Sequence, residues 1–554
     1  MGVPVSRRQR VYQRQVARAA VQPQESQLIP VMAPIGGLNF KDSIIAMPIS
    51  DALRAQNVLM RTDGVMLRPG WKQHVTNILD PGVSAETDVK TMMPYIATSG
   101  VLNNRLFAAV HETVFNVTDT TSTPVVGFTD AAATGIWSHT MHSNTDNNMF
   151  LCAVNNGGGY YTYDSTGGWI KRTLTGGPTN ITNITSVTSA KNRLWFTFEN
   201  NNSVWYLALG AIAGALTQFP LGPLLTKGGV LQCCATWTKD SGGGQDVKDF
   251  FVAFGAQGNV IVYEGADPSS AATWNLVGNW DLGRFPVGTQ FFTKKGADLM
   301  VLSSRGITPM SAVVNGTYNL ETGGPISLKI NNALVPAINT DITLPGWEVR
   351  VLPKIDSLMI LQPKTPAGIN TQWLMSLTTA AWSTFDNVEM TCSTLFNETF
   401  YFGRRGGIVA VGMQLGYDTD GETLAAVAGT VVEGDVQPAF NPFETPGILK
   451  TFHAARLIFI APAAPSVSIR MNTQFNIQAA PGSPSFTPSS GSRWDVAKWD
   501  EGVWAGADAT FEVWAGITGV GYYGSLRMNL RGLPGTAFSA AHILFVNGSP
   551  QALM

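Results

Sequence analysis

Charge is what this sequence has least of. Of its 554 residues only 13% are Asp, Glu, Lys or Arg, about half the roughly 25% of an average soluble protein. The charge it has is balanced: 36 basic against 38 acidic side chains leave a net charge of −2. That balance excludes a polycationic nucleic-acid binder, whose affinity comes from phosphate contacts. Cysteine is scarce too. Cys152, Cys233, Cys234 and Cys392 are too few and too scattered for a disulfide scaffold, and no CxxC pair offers a zinc site. Long hydrophobic runs are missing: the best, Val204 to Leu216, is about 13 residues where a membrane helix needs roughly 20, and Pro220 and Pro223 follow it. The N-terminal stretch MGVPVSRRQRVYQRQ lacks the apolar region of a secretory signal. Catalytic signatures are missing as well: there is no GxSxG elbow, no P-loop and no HExxH. The expectation is a protein that is not an enzyme, has no membrane span and needs no cofactor or metal.

What is present is aromatic and turn-rich. With 15 Trp, 27 Phe and 12 Tyr beside 57 Gly and 31 Pro, the composition belongs to a folded chain rather than a disordered one. At about 150 residues per domain the length allows three or four domains, or one large repeat structure with additions. So large a chain with so little charge is expected to place much of its surface against other subunits.

Four regions follow from the texture. Residues 1–30 form a basic arm in which Arg7, Arg8, Arg10, Arg14 and Arg18 meet no acid before Glu25. Such an arm is either a solvated tail or a segment that orders against a partner. Residues 31–84 carry a glycine turn, a short helix expected over Asp51–Met60 and capped by Ser50 or Asp51, and a hairpin at Asp63-Gly64; this segment is expected to dock onto the core. Residues 85–425 are β throughout. Strand, tight turn, strand recurs in Arg105–Val117, Met149–Tyr163, Arg193–Leu207, Phe250–Tyr263, Leu299–Pro309, Leu358–Leu377 and Thr399–Val411. Trp169, Trp274 and Trp382 follow three of these pairs. Recurrence every 40–60 residues or so is the size of a propeller blade. Residues 426–554 change to longer, Pro-bounded strands and read as a separate β domain. The fold class is therefore all-β: a β-propeller core, an additional C-terminal β domain and an N-terminal extended arm.

Within the last region Trp494, Trp499 and Trp504 stand five apart. In a strand that spacing puts Trp494 and Trp504 on one face and Trp499 on the other, which favours burial between two layers over a one-sided stacking platform. Chemical constellations elsewhere are thin. His139-x-x-His142 with Asp146 nearby reads as a polar loop rather than a metal site. Asp418-x-Asp420-Gly421-Glu422 reads as a hairpin turn, since a calcium loop needs its glycine at the sixth position. Cys233-Cys234 reads as two small packing residues, one on each face of a strand.

One segment resembles a known family. Residues 33–71 carry Pro34-x-Gly36-Gly37-x-Asn39 and Asp42, then Met47-Pro48, Asp51-Ala52 and Asn57, and finally Gly64-Val65 and Arg68-x-Gly70. This resembles the N-terminal motif of the tail nozzle proteins of short-tailed bacteriophages, also described as tail tubular protein B or packaged-DNA stabilisation proteins. It departs from that pattern at Ser43 and over Val58–Arg61. The tryptophan ladder resembles the C-terminal part of the same family. The resemblance implies a virion protein assembled in the host cytoplasm: a homohexameric ring below the head–tail connector, in contact with tail fibres or spikes. Such a ring retains the packaged genome and passes double-stranded DNA without binding it tightly. A near-neutral chain suits passage, because each phosphate contact adds affinity. Retention would then be steric, with Asp240–Asp246 as one possible tip, and the arm arginines would dock on the connector or an appendage. Two other readings stay open: a receptor- or carbohydrate-binding propeller, which exposed tryptophan slots in each blade would favour, and a glycosidase-like propeller, which would need paired carboxylates at the centre.

Overall fold

The computed structural model describes residues 26–80, 87–98, 100–120, 124–239, 248–316, 324–363, 371–386, 388–415, 417–418, 430–485, 509–533 and 535–548. The arm arginines Arg7, Arg8, Arg10, Arg14 and Arg18, the Asp240–Asp246 tip, the rest of the Asp418–Glu422 turn, and Trp494, Trp499 and Trp504 lie outside the described residues.

The strand-turn-strand units pair as their alternation requires, each within its own small antiparallel sheet. Four sheets have four strands each, over residues 91–129, 137–172, 184–220 and 231–281. A fifth, over 292–309, has three strands; the helices Met310–Val314 and Asn331–Asp341 follow and bury Met310, Val313, Leu334 and Ile338 beside it. The sixth runs from 348 to 385. The seventh takes three strands from 392–415 and its fourth, Gly70–Val75, from far earlier in the chain, with Val409 opposite Val75. These are the seven blades of a β-propeller, numbered here in this order.

Each blade buries both faces, so its middle strands are buried along their whole length and mostly apolar: all five residues of Ser357–Leu361 and of Gln372–Ser376 are buried. The cores between blades form a closed series. Phe107, Leu151 and Trp137 join blades 1 and 2, Tyr160 and Phe196 join 2 and 3, and Trp195, Phe251 and Trp274 join 3 and 4. Met359 and Phe402 join blades 6 and 7, while Val75, Met92 and Cys392 join blade 7 back to blade 1. The tryptophans that follow the hairpins sit in these seams: Trp274 stacks 5.7 Å from Trp195 and 5.6 Å from Tyr263. Cys233 and Cys234 do fall on opposite faces of one strand, in different cores.

Beside blade 6 lies a β-sandwich. One sheet contains Ser26–Met32, Val58–Met60, Val65–Leu67, Ala537–Asn547, Lys450–Ala461 and Ala509–Gly521; the other contains Ala52–Gln56, Glu433–Pro438, Gly524–Arg531 and Ser466–Thr473. Lys450–Ala461 buries nearly every second residue, the period of a strand with one face on a core. Leu457, Phe459, Met528 and Phe545 fill the space between the sheets. The second sheet continues into blade 6 through the pairing of Gln56 with Thr384.

The N-terminal segment therefore supplies strands to both bodies, and the helix expected over Asp51–Met60 is not formed. Ala52–Gln56 and Val58–Met60 are strands. The helical signal came from burial of Ala52, Ala55 and Val58, three apart. A β-bulge between Ala52 and Arg54 and a left-handed Asn57 (φ 55°) turn the chain so that strand residues three apart face one core. The hairpin at Asp63-Gly64 is present, with Met60 opposite Val65.

Candidate sites: the propeller axis and the interdomain clasp

The family-like residues of 33–71 meet in one polar cluster where propeller and sandwich join. Gly37 (φ 72°) lies so close to the backbone of Trp382 that a Cβ would stand 2.5 Å from its nitrogen and 2.7 Å from its oxygen; Leu38 N–H donates to that oxygen. Gly36 is crowded in the same way by Asp51, whose Oδ1 would be 2.0 Å from a Cβ. Asn39 Nδ2 donates to Asp51 Oδ2 (2.7 Å) and Asp42 Oδ2 (2.8 Å), and Asp51 Oδ1 accepts from Lys329 Nζ (2.9 Å). Asp51 thus ties the glycine turn to the helical insert of blade 5 instead of capping a helix.

A second knot centres on Asn57. Its Nδ2 donates to the Glu433 carbonyl (3.0 Å), and its Oδ1 accepts from Arg68 Nε (2.9 Å) and Asp386 N–H (3.0 Å). Arg68 is nearly fully buried, and its Nη1 and Nη2 reach the two carboxylate oxygens of Asp418. Burial pushes the Asp386 carboxyl above its ordinary range. Beyond this knot Arg54 and Arg527 share Asp435, and Arg531 holds Glu433. Arg68, Asp386, Asp418, Glu433, Asp435 and Arg531 line a polar cavity of 480 Å³. Gly64 packs its Cα against the Phe538 carbonyl of the sandwich, and Gly70 opens the strand that completes blade 7.

The second site is on the propeller axis. The innermost strands of blades 1, 2, 6 and 7, with the stretch leading into blade 5, enclose a cavity of 250 Å³. Glu348 and Arg350, two apart on the first strand of blade 6, both line it. Glu348 Oε2 accepts from the Ser393 N–H (2.9 Å) and hydroxyl (2.6 Å) and lies 3.5 Å from Arg350 Nη2. Arg350 Nε donates to Ser393 Oγ (3.1 Å). Burial raises the Glu348 carboxyl, and Arg350 opposes the shift. Across the cavity His139 is held down to about 4, by burial first and by the positive Arg350 second, so its ring is neutral at pH 7.

The structure separates the two histidines read together in the sequence. His139 faces the axis, whereas His142 Nδ1 lies 2.9 Å from Ser189 Oγ in blade 3; three apart on a strand, they project to opposite faces. Among the described residues, the ligand atoms of Asp80, His111 and Glu112 lie within 4.8 Å of one another and are the group spaced to hold a metal. Glu348, Ser393 and Trp137 had no place in the sequence reading. The one available signal was Glu348-x-Arg350, opposite charges on the same face of an otherwise apolar strand.

No family model matches the chain, and no curated protein matches its sequence. Solved structures do. A chain in the complex of BBS1N with ARL6DN is 12% identical over 63% of this chain and 98% of its own, with a TM-score of 0.37. The Pan2 WD40 domain of Neurospora crassa is 9% identical over 64% and 97%, with a TM-score of 0.35. YCF48 bound to a D1 peptide is 9% identical over 64% and 99%, also with a TM-score of 0.35. The propeller assignment itself stands on the sheet order and the closed series of interblade cores. Among the described residues no helix is long and apolar enough to cross a membrane.

Proposed function

We propose that this chain is a structural subunit of a tail nozzle of a short-tailed phage, a homo-oligomeric ring that closes the tail channel, retains the packaged genome and conducts DNA on ejection. The observation that carries this reading is the clasp. Asn39, Asp42, Asp51, Asn57 and Arg68, through which residues 33–71 resemble that family, are joined by hydrogen bonds into two knots that hold sandwich and propeller together. A chance likeness would scatter such residues; a shared architecture needs them together. In this reading the DNA path lies between subunits, because a 250 Å³ axial cavity cannot pass a duplex. Exposed apolar residues such as Ile45 (70% exposed) and Leu102 (92%) are then surface for neighbouring copies or tail partners.

The alternative of a receptor- or carbohydrate-binding propeller with a tryptophan slot in each blade draws no support: Trp137, Trp195, Trp205, Trp237, Trp274 and Trp382 are buried, and the half-buried Trp169 and Trp280 belong to blades 2 and 4 alone and pack against the cores there. The deciding measurement is the mass of the purified chain alone and with a purified head–tail connector, by light scattering and negative-stain microscopy. Rings of several 59.3 kDa copies on the connector are expected. A chain that stays monomeric and never binds a connector removes the proposal.

A further inference from the structure

Five residues beyond the closing strand Gly70–Val75, the chain sets Asp80 against a hairpin turn of blade 1. Ile78, between the two, is buried in the seam of blades 7 and 1, and its N–H donates to the Gly407 carbonyl (2.9 Å). The turn is made of His111 and Glu112, between Val110 and its cross-strand partner Thr113. His111 is in the left-handed region, at φ 45°. Asp80 Oδ2 accepts from the Glu112 N–H (2.8 Å). At this junction three side chains of metal-binding type converge: His111 Nδ1 lies 3.3 Å from Asp80 Oδ2 and 3.9 Å from Glu112 Oε1.

Two features set this cluster apart from an ordinary ion pair. Although His111 Nδ1 is 3.3 Å from Asp80 Oδ2, it makes no hydrogen bond among the described residues, so the ring nitrogen is not aligned on the oxygen it approaches. Two ligands about 2.1 Å from one ion and this far apart hold the ion off the line between them, so coordination requires the misalignment that a hydrogen bond forbids. The second feature is spacing. The three ligand atoms lie within 4.8 Å of one another, and a point equidistant from atoms so placed is at most about 2.4 Å from each, against about 2.0–2.2 Å for zinc to nitrogen or oxygen. The side chains of His111 and Glu112 are 27% and 22% exposed and give an ion entry from solvent, while that of Asp80, at 0%, forms the floor. The donor set selects the metal. One imidazole and two carboxylates suit zinc, whereas calcium and magnesium take all-oxygen sets. We infer that Asp80, His111 and Glu112 bind a Zn²⁺ ion, with a further position left for water, and that the ion pins the continuation of the closing strand to blade 1. The site lies within one chain and does not depend on the ring proposed above.

The test uses the full chain without an affinity tag, stripped with EDTA and dialysed. Titration calorimetry with zinc chloride is expected to show one site per chain, with magnesium and calcium chloride at least about 100-fold weaker. Zinc at about 100 times its dissociation constant is expected to raise the melting midpoint by about 2 °C or more. His111→Asn removes the imidazole and keeps a residue that tolerates the left-handed turn; it is expected to weaken zinc binding by at least about 100-fold. Asp80→Asn should do the same, and if it fails to fold, His111→Asn decides alone. His453→Gln, at an exposed position of the sandwich, should leave zinc binding unchanged. Absence of a site at one per chain, magnesium or calcium binding as tightly as zinc, or a zinc affinity that is unchanged in His111→Asn or lost in His453→Gln overturns the inference.

Discussion

Arg68 and Asp418 stand 350 positions apart in the chain and meet in a two-pronged ion pair, Nη1 to Oδ1 at 2.8 Å and Nη2 to Oδ2 at 2.5 Å. Arg68 follows the hairpin of the sandwich, and Asp418 follows the last blade of the propeller. Their side chains are only 3% and 11% exposed, so either one left alone would be a charge buried without its partner. Arg68→Met or Asp418→Asn is expected to cost about 3–5 kcal/mol, and the double variant less than the sum of the two. Urea unfolding of the four proteins measures it; strict additivity would show that the two groups do not interact.

Asn57 separates backbone demand from hydrogen bonding. Its φ of 55° is strained for alanine but not for glycine, whereas both substitutions lose the bonds to Glu433, Arg68 and Asp386. Both are expected to destabilise, with Asn57→Ala worse than Asn57→Gly by about 1 kcal/mol once glycine's own entropic cost is set against the left-handed strain. Equal losses would mean that hydrogen bonding alone accounts for this position.

Gly37→Ala drives a methyl group into the Trp382 backbone at a positive φ. With no flexible side chain to move aside, the turn itself must shift, and a loss on the order of 3 kcal/mol or more is expected. A thermal melt of the variant reads the loss. A melting temperature within a degree of the parent would show that the turn is not held as described.

Stability should fall on mild acidification. His139 is held at about 4 in the fold, and burial also lowers His74 and His142. Each group is kept neutral, so its contribution is complete above the unfolded value near 6.5 and is lost as pH drops from there toward the folded value. For His139 alone the loss between pH 7.5 and 5.0 is about 2 kcal/mol. Glu348 has the opposite sign: its raised carboxyl favours the fold at low pH and loses that contribution as pH rises through its folded value. Urea midpoints at the two pH values, for the parent and for His139→Gln, test this; the variant should show a flatter dependence.

The blades were legible because their signal is local. All seven strand-turn-strand units found in the sequence are adjacent strands of one blade each, and Trp169, Trp274 and Trp382 lie in the fourth strands of theirs. What sequence could not supply is long-range. Nothing in Gly70–Val75 announces that it pairs with Ile408–Leu415, and nothing in Ala52–Gln56 announces a partner in Glu433–Pro438. At Asp51–Met60 local reading gave the wrong element, because a bulge and a left-handed asparagine imitate helical spacing. The clasp residues stood out only through family resemblance, and their bonding to Asp418, Asp386 and Glu433 appears only once the chain has folded back on itself. The axial site left the faintest trace, since a single buried acid beside an arginine has no periodic pattern to betray it.

Because the strand that closes the propeller is made before any other part of the ring, the order of synthesis matters. Val75 leaves the ribosome about 330 residues ahead of Val409, its partner, an interval of roughly 15–70 s at 5–20 residues per second. Through that interval Gly70–Val75 has no sheet to join, and six blades accumulate as an open arc with one apolar face of blade 1 uncovered. Cotranslational folding can build the first six blades but cannot shut the circle until Ile408–Leu415 has emerged. Any partner that shields the early strand while the chain lengthens would act on the yield of folded protein without touching its final stability.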